Sequence, residues 1–79
     1  MYAVYIVKSI KDGSRYVGLT KDIKKRLEEH NTGKSTYTKG HMPWKLVWCG
    51  MFPNHRQAVA FELYLKSGSG IAFMNRHLV

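Results

Sequence analysis

The amino-acid sequence predicts a small α/β (α+β) domain with the element order β-β-α-β-α-α. Three observations carry this: three runs of β-prone residues, a strong hairpin signal between the first two, and three segments whose caps and apolar spacing suit helices. The 79 residues leave room for one domain, spanning 1–79, because a chain this short buries only about 60 % of the surface its unfolded form exposes.

Tyr2 to Lys8 is apolar at both alternating sets of positions, as a central strand covered on both faces requires. Arg15 to Thr20 is the second β-prone run. Asp12-Gly13 between them suits a two-residue turn whose central positions need positive φ, which would pair Val7 with Gly18 and Tyr5 with Thr20. Thr20 can cap a helix from Lys21 to His30, with Asp22 in its first turn and Gly33 ending it. Residues 31–43 carry hydroxyls, glycine and basic groups without an apolar period, and read as a loop. Lys45 to Met51 supplies the third strand. Asn54 with Gln57 three positions on resembles a capping box for a helix from His55 to Lys66. Ser67-Gly68-Ser69-Gly70 reads as a break, and Ile71 to Leu78 as a last helix with Ile71, Met74 and Leu78 on its packed face.

Lys and Arg number 13 against 5 Asp and Glu, a formal charge of +8, while 44 % of residues are hydrophobic and 23 % charged. Such a balance is that of a folded domain with a polyanionic partner, nucleic acid or an anionic membrane. The membrane is set aside, since there is neither an apolar run of about 18 residues nor a helix with clean basic and apolar faces. The first residues read as a strand and not as a leader, so a cytoplasmic location is expected. The single Cys49 makes no internal disulfide, and His30, His41, His55 and His77 lack zinc-ligand spacing.

The period of two places Tyr5, Val7, Tyr16 and Gly18 on one face of the hairpin. Gly18 would leave backbone exposed beside two phenols, as a pocket floor; alternatively the tyrosines simply pack, with their hydroxyls at the rim. On the first helix Ile23 and Leu27 mark the apolar stripe, and Lys24, Lys25, Glu28 and Glu29 point away at about 100° per residue. Arg26 and His30, four apart, border the stripe and point toward the sheet, to meet an anion or to be satisfied within the core edge. Glu62 flanks the buried stripe of Ala58, Phe61 and Leu65, as an ordinary salt-bridge partner or as a cation ligand. In and beside the loop, Lys34, Lys39 and Lys45 with Tyr37, His41 and Trp44 suit either a solvated basic surface or one that tracks phosphates and stacks on bases.

Ala3-Val4-Tyr5, then Tyr16-Val17-Gly18, then Arg26 and His30 at ten and fourteen positions beyond Tyr16 resemble the signature of the GIY-YIG nucleases. Glu62 stands where that family keeps its metal ligand. The likeness continues through His30-Asn31-x-Gly33, Pro43-x-Lys45-Leu46-Val47 and Tyr64 to Gly70. It implies a three-stranded antiparallel sheet flanked by helices, and a divalent-metal-dependent endonuclease acting on DNA in repair, recombination or mobile-element processing. By the same resemblance Glu62 would hold one Mg²⁺ or Mn²⁺, and Arg26 would neutralise charge on the phosphoryl oxygens. Tyr16, with Tyr5 alongside, would orient the attacking water or take its proton, and His30 would position or relay a proton. Gly18, Asn31, Lys34, Tyr37, Lys39 and Lys45 are the candidate nucleic-acid contacts.

Ala3 replaces the glycine of the family name, and Val17 the isoleucine. Asn75 could match a late asparagine of some members and is left out of the site. Larger relatives attach a target-finding domain. Here target choice would come from the 31–43 loop, from the substrate's structure or from a protein partner. A non-catalytic nucleic-acid-binding module on the same scaffold is the alternative reading. A protein-interaction domain fits the charge poorly.

Overall fold

The computed structural model describes residues 1–78. Its sheet is antiparallel in the order β2-β1-β3, formed by β1 (Tyr2–Ser9), β2 (Arg15–Thr20) and β3 (Trp44–Phe52). The central strand is apolar throughout because its two faces feed two separate cores. Val4 and Ile6 join Val17, Ala58, Leu65 and Met74 on one face. Tyr5 and Val7 join Trp44 on the other, with Tyr16, Ile23, Leu27, Met42 and Cys49 packed around them. Helix α1 (Ile23–Asn31) thus covers the tyrosine face, and α2 (His55–Lys66) with α3 (Gly68–His77) covers the opposite one. No helix among the described residues is long and apolar enough to cross a membrane.

Four expectations are corrected. The hairpin is longer than a two-residue turn: Ser9 and Ser14 close it, Lys8 faces Arg15, Val7 faces Tyr16 and Tyr5 faces Gly18. Only Gly13 has positive φ there, at 79°, so the turn with two such positions does not form. Instead the Ser9 hydroxyl accepts from the Lys11 and Asp12 amides, and the Asp12 carboxylate accepts from Ser14 N. The register moved by two, which preserves every facing. Asp22, not Thr20, caps α1, its carboxylate accepting from Lys25 N, while the Thr20 hydroxyl accepts from Asp22 N. Ser67 is not a break but the cap of α3, accepting from Gly70 N, so the helix starts three residues earlier than the apolar spacing suggested. Ile71, expected on the packed face, is 44 % exposed, whereas Met74 is buried.

Candidate functional site

Strand pairing brings both phenols to one face, with the Tyr5 and Tyr16 ring centroids 6.4 Å apart. Tyr5 can lie across β2 because its partner is Gly18: a Cβ at that position would stand 2.3 Å from the Tyr5 hydroxyl. Gly18 is therefore buried under the ring, which corrects the expectation of open backbone as a pocket floor. Tyr16 is only half-buried.

The last turn of α1 delivers His30, fully buried, to the tyrosine face. Its Nε2 is 2.8 Å from the Tyr5 hydroxyl and its Nδ1 is 2.8 Å from the Thr38 hydroxyl. One ring nitrogen of the neutral imidazole donates and the other accepts, and the two hydroxyls can take either role, so both ends of the ring are satisfied. Burial pushes the Tyr5 phenol up to about 12, against the pull of Arg26, and Tyr5 stays protonated at neutral pH. Burial, and next Arg26, lower the His30 pKa, and Glu29 opposes them.

Thr38 was not singled out in the sequence; it is one of many hydroxyls in the loop, and nothing local marks it. Thr38→Val is expected to leave His30 Nδ1 without a partner in a dry site and to cost about 1–3 kcal/mol, read as a lower urea midpoint, while Thr38→Ser retains stability. The depressed His30 pKa has a pH signature as well. The folded state resists protonating this ring, so stability is intact above about pH 6.5 and is lost as pH falls below that value. Thermal melts between pH 7.5 and 5 are expected to show the decline, and His30→Gln to flatten it; parallel curves for both proteins would refute the assignment.

Arg26, on the same helix, faces both phenols. Burial works against its charge, but Glu29 and the two tyrosines raise its pKa above the ordinary value. Glu29, expected to point away, accepts from Arg26 Nη1 at 3.0 Å and holds the guanidinium in place. The spacing of three residues on a helix is a signal that could have found it.

Glu62 comes from the opposite side, on α2. Its side chain is 19 % exposed and its carboxylate accepts from Lys66 Nζ at 3.2 Å. No group of three or more His, Cys, Asp or Glu exists among the described residues. Of the other acids, Asp12 holds His41, Asp22 caps α1, Glu29 holds Arg26 and Glu28 is exposed. A divalent ion here would have one protein carboxylate, and waters and substrate oxygens would complete its shell; Mg²⁺ tolerates that donor set.

Beside Tyr16 a groove of about 580 Å³ follows the outer edge of β2, lined also by Arg15, Tyr37, Leu65, Lys66, Met74 and Asn75. Arg15 donates to the Asn75 side chain across it. Tyr37, 71 % exposed, lies 5.6 Å from the Tyr16 ring. Lys34, Lys39 and Lys45 are exposed. Two loop readings change. Trp44 is a core residue, 3 % exposed, donating from Nε1 to Thr38 O. Asn31, itself exposed, clamps it, accepting from Trp44 N at 2.6 Å and donating to Trp44 O at 2.9 Å, so this amide is engaged by the backbone.

Residues 1–71 match the family described as the GIY-YIG catalytic domain. The chain is 43 % identical over 63 residues to a UPF0213 protein of Bacillus licheniformis, an alignment covering 78 % of this chain and 65 % of that protein. It is 45 % identical over 67 residues to a UPF0213 protein of Clostridium perfringens, covering 84 % and 71 %. The solution NMR structure of the UPF0213 protein from Bacillus halodurans superposes with a TM-score of 0.57 at 35 % identity, over 96 % of this chain and 84 % of that one. The match thus spans just under two thirds of the Bacillus licheniformis relative and somewhat more of the others.

Proposed function

The chain belongs to the GIY-YIG catalytic-domain family, and from that premise we propose that it is a divalent-metal-dependent endonuclease that hydrolyses phosphodiester bonds in DNA. One observation carries the reading: Tyr5, Tyr16 and His30 meet on one face of the hairpin with Arg26 beside them.

One Mg²⁺ or Mn²⁺ on Glu62 would polarise the scissile phosphate as a Lewis acid. The chain's own residues do the rest. Arg26, pre-set by Glu29, offers donors to the phosphoryl oxygens as negative charge builds there. Tyr16, accessible from the groove, orients the attacking water or takes its proton. Tyr5 is too firmly protonated for that role; it anchors His30, which Thr38 holds from the other side. Lys34, Tyr37, Lys39 and Lys45 serve the DNA strand, with recognition aided by a protein partner where the cell requires a particular target, in repair, recombination or mobile-element processing in the cytoplasm.

The pairing of Glu62 with Lys66 favours the other reading, a binding module in which the glutamate is structural. A panel of plasmid, single-stranded and branched DNAs with Mg²⁺ or Mn²⁺ separates them. Cutting that EDTA stops is expected. Salt-sensitive binding without cutting on any substrate would instead establish the binding module.

A further inference from the structure

Apart from Tyr16, the groove along β2 is built of parts the cleavage chemistry does not need. Its floor is apolar, from Val17, Leu65 and Met74, and one wall is aromatic, from Tyr16 and Tyr37. Arg15 and Asn75 put a cation and an amide within it. Its volume, about 580 Å³, lies in the range of small-molecule pockets, roughly 300–1,000 Å³. Flat apolar surfaces for stacking, with an amide and a cation for an edge, are what an aromatic heterocycle needs.

A second feature starts at the same place. Across the sheet Arg15 faces Lys8, and Lys8 faces Lys45, so three cations lie side by side on one face of three adjacent strands. Like charges directly opposite on a sheet destabilise it. Among the described residues none of the three forms a salt bridge. A row of this kind is tolerated where a polyanion neutralises it.

We propose that the groove is a subsite for one unstacked nucleobase of a single-stranded segment, whose backbone then follows the row Arg15, Lys8 and Lys45. A base paired in a duplex cannot enter, because its faces are stacked and its edge is engaged. The inference rests on the nuclease reading for its substrate class, with Tyr16 shared between groove and catalytic face, and it narrows that class to DNA with an unpaired nucleotide beside the cut.

The test is binding in EDTA, where no cleavage intervenes, of a fluorescent 12-nucleotide single strand (on the order of one site) and of the same sequence as a duplex. Tyr37→Ala is expected to weaken the single strand by about tenfold or more, to leave the duplex unchanged, and to be rescued by Tyr37→Phe. Lys8→Gln and Lys45→Gln are each expected to reduce the salt slope for the single strand by about 0.7 without lowering the melting temperature, since each relieves repulsion. Equal loss for duplex and single strand, or no loss, would overturn the subsite. A lower melting temperature with an unchanged salt slope would show Lys8 and Lys45 to be structural and would overturn the backbone path. Tyr37-dependent single-strand binding by a protein that cuts nothing would preserve the subsite and refute the nuclease; metal-dependent cutting indifferent to Tyr37 would do the reverse.

Discussion

Glu62→Ala is expected to lower metal-dependent cleavage by about three orders of magnitude or more, the loss of a Lewis acid that supplies several kcal/mol. What makes the result interpretable is how little else the residue does. Its one bond is to Lys66, four positions on along α2, and pairs of that kind stabilise by only about 0.3–0.5 kcal/mol. The melting temperature should therefore fall by no more than roughly 2–4 °C, and DNA binding in EDTA should persist. Single-turnover cleavage over a Mn²⁺ titration checks it. Activity within a few-fold of the parent would remove Glu62 from the site.

The largest effect on folding is expected at Gly70. In an exposed helix Gly→Ala stabilises by about 1 kcal/mol. At Gly70 the sign reverses, because α3 crosses α2 with no gap: the added Cβ would lie 1.6 Å from Tyr64 O and 2.8 Å from Leu65 Cα. Those are backbone atoms and cannot swing aside. The helices must part, exposing Leu65 and Met74, at a cost on the order of 3 kcal/mol or more, or a drop of roughly 12–24 °C in melting temperature. Gly68→Ala, two residues away on the same helix, meets nothing within 4 Å and is expected to be neutral or stabilising. Circular-dichroism melts of the pair decide the matter, and equal behaviour would refute the packing argument.

Much of this was legible in the chain. Strands and α2 were legible because apolar alternation and the Asn54 cap are local signals. Tyr5, Tyr16, Arg26 and His30 converge because a register moved by two leaves side chains on the same faces. What was hidden is what depends on distant partners. Trp44 looks like a surface aromatic until Asn31, thirteen residues earlier, is seen to hold its backbone. Thr38 gains its meaning only from His30 Nδ1, and Ser67 to Gly70 reads as a break because serine and glycine serve turns and caps alike.

The 31–43 loop is stitched to the β1–β2 turn by Ser9 Oγ donating to His41 O, Lys11 Nζ donating to Gly40 O, Ile10 N donating to Pro43 O, and Asp12 paired with His41. For protein engineering this divides the loop into a frame and a graft site. Residues from Thr38 onward are committed to the frame, whereas the tip around Lys34 to Tyr37 carries no such stitches to the turn and can exchange sequence or length while the buried histidine keeps its place. Libraries built there would vary the tip on an intact GIY-YIG fold.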